Sequence, residues 1–453
     1  MNILMHHRTA ALLVVATTLA IPPGASAQPP AATRADAPAI RLTVNTTIDL
    51  ALKASHRVSE VQARADVAQA NVSARSSADN PVVSLLAGYT RTNHVEAFAM
   101  PIAGKGLVVI YPDVPDNWRT RADLQWPVYT FGRVGSATKA AELEHEATGK
   151  DVSTAKADIR LDATRSYWNL VMAGAVVRVA EDALALVGAH LHDVKALRAA
   201  GIAAPNDVLT AEAREARQRV LLIQARNNRD VAEADLRRVT GIEAAQKIDL
   251  IDALEAPARD IGAFDALLAE AKKTRPERQA LQLRADAFGQ QQKSAAAMTK
   301  PVLSVGGGVD YARPNNRIFP RSSEWNESWD VGFNVSWPLW DGGRTKADVA
   351  QVSASQRAVV ERLAEFDAVL EFEVHQRQLD LAAAAASIQA ATEEVASAAE
   401  ARRVVTERFK SGLASNTDVL DAQQNLVVAQ LERTQSLAAV RLAEARFDRT
   451  LGR

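Results

Sequence analysis

Two hydrophobic patterns alternate along this chain, and the alternation then runs a second time. Four short runs switch between apolar and polar residues with period two, the mark of strands with one apolar face. In the last run Trp329, Val331, Phe333, Val335 and Trp337 fall on one side, with Asp330, Gly332, Asn334 and Ser336 on the other. The third sets Leu303, Val305, Gly307, Val309 and Tyr311 against Ser304, Gly306, Gly308 and Asp310. The second sets Ala122, Leu124 and Trp126 against Arg121, Asp123 and Gln125, and the first, at 82–91, alternates less cleanly. After each pair of strands comes a long helix-like stretch, a glycine-centred break and a shorter returning stretch.

The order is duplicated in residues as well as in pattern. WPVYTFGR at 126–133 matches WPLWDGGR at 337–344, GIAAPNDVL at 201–209 matches GLASNTDVL at 412–420, and VAEADLRRVTG at 231–241 matches LAEARFDRTLG at 442–452. All three pairs keep one offset, 211 (337 less 126). Upstream, Arg64-Ala65-Asp66 and Pro81 match Arg284-Ala285-Asp286 and Pro301 at an offset of 220 (301 less 81), so the nine extra residues belong to a loop between Pro81 and Trp126. At about 1.5 Å per residue, the stretch from Arg133 to Gly201, like that from Arg344 to Gly412, makes a helix of roughly 100 Å. The returning stretches, and the single helices expected before the strands (47–81 and 267–301), are half as long. One full-length helix therefore descends, and two half-length helices stacked end to end complete the return.

These boundaries divide the chain as follows. Residues 1–27 read as a signal peptide and 28–45 as a Pro/Ala-rich linker. Repeat 1, at 46–241, holds a helix, a strand hairpin (82–128), a long helix (133–200), a tip (201–206) and a return helix (207–241). A connector at 242–265 joins it at mid-height to repeat 2, at 266–453, with its hairpin at 302–339, long helix at 344–411, tip at 412–417 and return helix at 418–452.

Composition narrows the class. Hydrophobic residues make up 47% but aromatics only 5%, a mix that suits closely packed alanine-rich helices. Lys plus Arg (53) nearly balances Asp plus Glu (54), so no charge field points to nucleic acid. With no cysteine, disulfides, thiolate metal sites and an N-terminal lipid-modified cysteine are excluded. His6, His7 and Arg8, an apolar run at 10–21 and Ala25-Ser26-Ala27 have the order of an export signal, and the run is too short to span a bilayer. No later segment is apolar enough to span as a helix, so a membrane location requires strands. The four runs, with Trp126, Trp329 and Trp337 at their ends, fit lipid-facing strands with an aromatic girdle, Val331 and Phe333 lying on the lipid side. A soluble sheet with one face on a core is the alternative. Four strands are too few to close a barrel, so a spanning barrel needs several chains.

The doubled proline–strand–Trp-Pro–Gly-Arg hairpin, the doubled G-[IL]-A-x-x-x-D-V-L break and the closing glycines resemble the TolC-like outer-membrane efflux protein family (outer membrane factors) over about residues 46–452. The resemblance implies a mixed α and β membrane protein: a homotrimer whose 12-stranded transmembrane β-barrel, four strands per chain, continues into a long periplasmic α-helical barrel of coiled-coil hairpins. It implies an outer-membrane location extending into the periplasm. The implied partners are outer-membrane lipid, a periplasmic adaptor (membrane fusion protein) and an inner-membrane pump of RND, ABC or MFS type. No cofactor is expected.

In that picture Gly201, Ile202, Gly412, Leu413 and Arg408 lie at adaptor-docking tips. The family's acidic constriction maps onto Asp207, Asp418 and Asp421; Asp418 and Asp421, three apart, share a helical face. Such a ring of like charges favours cations. Asp207 and Asp418 also suit a plain helix-start cap. Two stripes on the second return helix (Val419, Ala422, Leu426 and Ala429; Leu420, Val427 and Leu431) let it pack on both sides. The chain departs from some members in carrying Ala203 and Ala414 where a latching arginine stands, and Leu197-Arg198 at the first tip where the second has Arg408-Phe409.

Other constellations carry little. His190 and His192, two apart on a helix, do not face each other as metal ligands would. Gly306-Gly307-Gly308 lacks the lysine and helix start of a phosphate loop and suits room on the barrel interior, and Gly342-Gly343 suits a strand-to-helix turn. The expectation is a passive exit duct for drugs, metals or metabolites, not an enzyme. A type I protein-secretion channel is the alternative within that class, and a periplasmic adaptor or other helical-hairpin protein the alternative outside it.

Overall fold

The computed structural model describes residues 39–256 and 259–453. The expected signal peptide, and all of the expected linker before residue 39, lie outside the described residues. The rest of that linker is structured. Strand β1 (Ile40–Leu42) leads into helix α1 (Val44–Ala54), whose start Thr43 caps by accepting from the Thr46 N–H at 3.2 Å.

The half-length helix before the strands is broken in both repeats, where one helix was expected. Helix α2 (His56–Ser76) begins anew after Ser55, whose hydroxyl accepts from the Val58 N–H at 3.2 Å. The equivalent break in repeat 2 is Arg275-Pro276, between helices α5 (Phe264–Thr274) and α6 (Pro276–Ala296). A residue before proline is pushed out of the helical region, and proline suits the first helical position. Each break receives the end of a return helix: a Cβ on Gly241 would meet Ala54 Cβ at 2.9 Å, and one on Gly452 would meet Thr274 Oγ1 at 3.0 Å. Stacking end to end is thus achieved by a close glycine approach.

Strands β2 (Val82–Arg91), β5 (Asp116–Tyr129), β7 (Val302–Arg313) and β8 (Asn326–Ser336) form one antiparallel sheet in the order β2-β5-β7-β8. The middle pair comes from different repeats, with Ala122 opposite Val309. The extra residues of the first loop form a second hairpin, β3 (Phe98–Ile102) and β4 (Gly106–Tyr111).

From the sheet descend α3 (Arg133–Ala199) and α7 (Arg344–Lys410), 67 residues each, and from the tips rise α4 (Pro205–Thr240) and α8 (Asn416–Leu451), 36 each. The connector is not featureless: its strand β6 (Ile248–Leu250) pairs in parallel with β1. The largest buried side chains gather at this level. Tyr167, fully buried, donates from its hydroxyl to the Leu42 carbonyl at 3.2 Å and accepts from the Asp252 N–H at 3.1 Å, and burial pushes that phenol up to about 12. A second cluster joins Leu370, Val374, Phe447 and Leu451 to Leu267. Among the described residues no helix is long and apolar enough to cross a membrane.

Candidate functional site: the sheet faces and the hairpin tips

Cross-strand pairing puts directly opposed residues on one face. Val331 lies opposite Gly307, Phe333 opposite Val305, and Leu124 opposite both Val83 and Gly307. This face is bare: Phe333 is 80% exposed and Trp329 72%, and Val331 and Trp337 are exposed too. At its lower margin both repeats tie strand to helix in one way. The Trp126 indole N–H donates to the Asp79 carbonyl at 2.9 Å, and Trp337, just beyond β8, donates to the Thr299 carbonyl at 3.1 Å.

The opposite face is a charge network. Arg121 donates to Asp310, to Asp123 at 2.7 Å and to both oxygens of Asp330 at 2.8 and 3.1 Å. Arg119 reaches Asp310 at 2.5 Å, and Arg317 approaches Asp330 at 3.3 Å. Three arginines meet three aspartates, so the cluster is balanced, and all of it except Asp123 lines a cavity of about 770 Å³. Gly308 makes room for it, since a Cβ there would lie 2.8 Å from Arg121 Nη2. Gly307 does not share this role. It is on the apolar face, pressed against Val331, which corrects the expectation that all three glycines make room on one side. Arg121, Asp310 and Asp330 were readable as polar-face residues, and the signal of a joint network was Arg121 facing Asp310 directly, with a glycine opposite both Asp123 and Asp330.

At the tips, Gly201 (φ 78°) and Gly412 (φ 71°) take the left-handed conformation. Ile202 N–H then returns to the Leu197 carbonyl at 2.9 Å and Leu413 N–H to the Arg408 carbonyl at 2.8 Å, closing each helix end. The turn leaves Ile202 and Leu413 bare, at 75% and 69% exposed.

The three candidate aspartates differ in what they touch. Asp207 accepts from the Ala204 N–H at 3.1 Å, and Asp418 from the Ser415 N–H at 2.8 Å while Ser415 Oγ accepts from the Asp418 N–H at 3.1 Å. Both therefore cap their helix starts. The Ser415 backbone N–H, with its hydroxyl, holds the Asp418 carboxyl below the usual carboxylate range. Asp421, one turn deeper, pairs with Arg214 of α4 at 3.2 Å.

Two residues given no joint role in the sequence join the tips. His190, 6% exposed, bonds Asn416 Oδ1 at 2.7 Å, and Asn416 Nδ2 donates to the Asp207 carbonyl at 3.1 Å. The Phe409 ring stands edge-on to His190 at 5.3 Å. His190 thus has a structural partner, and no group of His, Cys, Asp and Glu among the described residues could hold a metal ion.

The geometry has close relatives. The chain is 24% identical over 395 residues to the outer membrane protein TolC of Vibrio cholerae serotype O1, covering 86% of this chain and 83% of that one. Solved structures share the fold. The channel protein CusC superposes with a TM-score of 0.78 at 17% identity, over 91% of this chain and 93% of CusC. The outer membrane protein VceC of Vibrio cholerae gives 0.75 at 21% identity, over 90% of this chain and 96% of VceC. Residues 47–242 and 267–453 match the model of the outer membrane efflux protein family, and the chain belongs to that family.

Proposed function

We propose that this chain is one of three identical subunits of an outer-membrane channel-tunnel in a tripartite export system. It is a passive exit duct for small molecules, which an inner-membrane pump delivers through a periplasmic adaptor. One observation carries the reading: a four-stranded sheet, apolar on one face, charged on the other and, among the described residues, unpaired at both edges, stands on two 67-residue helices. Unpaired edges are not tolerated in lipid, so the sheet closes only by joining copies of itself, β8 of one to β2 of the next. The apolar face then meets lipid and the Arg121 network faces the lumen.

The bare Ile202 and Leu413 at the tips are the surface offered to the adaptor, with Gly201, Gly412 and Arg408 shaping it. Asp421, and with it the capping Asp207 and Asp418, ring the periplasmic mouth. The family's role as an efflux channel and its relatives in outer membranes support this assignment over a separate helical adaptor. The test is accumulation of a fluorescent efflux dye in cells lacking the gene. Restored extrusion on supplying the chain is the expected result. Unchanged accumulation with and without it, across a panel of drugs, metals and dyes, contradicts the efflux role.

A further inference from the structure

The charges of the Arg121 network balance in number, but they are unequal in what they present to the cavity they line. Asp310 lies at its floor. That side chain is 10% exposed, and its oxygens are taken by Arg119 Nε and by Arg121. Asp330 likewise gives both oxygens to Arg121. Arg121 is spent in turn, with Nε on Asp123 and its terminal nitrogens on Asp310 and Asp330. Arg119 is different. Its side chain is 54% exposed and its hydrogen bond runs through Nε alone, so among the described residues neither terminal NH2 group has a protein acceptor. Those two groups form the planar fork that takes two oxygens of a carboxylate, sulfonate or phosphate.

The wall beside the fork is open. Strand pairing sets Gly88 directly opposite Arg119, and a Cβ built on Gly88 would meet nothing within 4 Å. Leu86 and Thr90, two residues to either side on β2, share that face and line the same cavity. Leu86 is 59% exposed, an apolar side chain beside the charged ones. Arg317 adds a second exposed guanidinium, steadied by its Nη1 donating to the Trp329 carbonyl at 2.6 Å.

We propose that Arg119, with the gap at Gly88 and the Leu86 side chain, is a subsite in the barrel lumen for organic anions in transit. The guanidinium takes the oxyanion and Leu86 the apolar part of the solute. It rests on the lumenal placement of this face and adds a solute class to it. An approaching anion meets guanidinium first, with the carboxylates behind. The overall neutrality of the network keeps the hold weak, as a conducting path requires, since a solute must be able to leave what it enters. Asp310 fixes the direction of the Arg119 fork through Nε and leaves its outer edge free.

The chain has no cysteine, so a single introduced thiol reports the local charge. Gly88→Cys, and as a second reporter Thr90→Cys, are treated as the detergent-solubilised assembly with an anionic (sulfonatoethyl) and a cationic (trimethylammonioethyl) methanethiosulfonate. Each rate is divided by that reagent's rate on free 2-mercaptoethanol. The anionic reagent is expected to be favoured, and adding Arg119→Gln to lower the anion-to-cation ratio about tenfold. Benzenesulfonate is expected to slow the labelling and benzyltrimethylammonium not to. Arg119→Lys, which keeps the charge without the fork, is expected to hold the ratio but lose that protection. A ratio unmoved by Arg119→Gln, or equal protection by the two aromatic ions, overturns the subsite and leaves the channel standing. Thiols that neither reagent reaches in a three-chain particle overturn the lumenal placement of this face. A one-chain mass by light scattering overturns the trimeric channel and the subsite together.

Discussion

His190 Nε2 lies 2.7 Å from Asn416 Oδ1, joining residues 226 positions apart. Because Asn416 Nδ2 is committed to the Asp207 carbonyl, its oxygen must accept, and the His190 nitrogen facing it carries the proton. One side chain thereby holds the starts of both return helices to α3, where sequence pattern marks only two separate tips.

Asn416→Ala leaves the buried His190 ring N–H without its partner, at a cost of about 1–3 kcal/mol. Hydrogen exchange at 201–207 and 412–418 is expected to quicken together, and the thermal midpoint to fall. Exchange that quickens at 412–418 alone contradicts a joint clasp.

The Asp418 carboxyl is held below its ordinary range by the Ser415 N–H. A lowered carboxylate contributes stability that is fully present above the unfolded pKa, about 3.9, and is lost as pH falls through the lower folded value. Protection of the second tip is therefore expected to weaken on acidification below about pH 4. Asp418→Asn removes that pH dependence, and an unchanged acid response in the variant contradicts the cap.

Asp421→Ala frees Arg214, whose one ion pair among the described residues is with Asp421. Three positive groups then replace three neutral pairs near the mouth, and reversal potentials in planar bilayers are expected to shift toward anions. An unchanged cation-to-anion ratio removes Asp421 from the conducting path.

Much of this was legible in the chain because its signals are local. A glycine followed by Pro205 or by Ser415-Asn416 marks each tip, and period-two alternation assigns Val331 and Phe333 to one face without reference to any neighbour. The missing parts depend on distant partners. Alternation places Arg121 and Asp310 on the polar face but says nothing of β5 pairing with β7, 189 residues away, which makes them a network. Ser55 looks like any serine in a polar helix; only the arrival of Gly241 at Ala54 explains why the helix breaks there. The β3–β4 hairpin, with Pro101 in one strand, has no clean alternation to announce it.

Val331→Arg or Phe333→Arg places a charge on the bare apolar face. On a lipid-facing strand near mid-bilayer this costs about 2–4 kcal/mol per chain. Trimer recovered from outer membranes is expected to fall sharply, while Asn334→Arg on the opposite face is tolerated. Equal yields for all three variants contradict the lipid-facing assignment.

The most direct test of the channel account is the mass of the detergent-extracted protein by light scattering, after inner and outer membranes are separated. The account predicts three chains per particle, found in the outer membrane. A monomer or dimer released with the soluble periplasmic fraction would contradict it, since both edges of the β2-β5-β7-β8 sheet would then be left without partners.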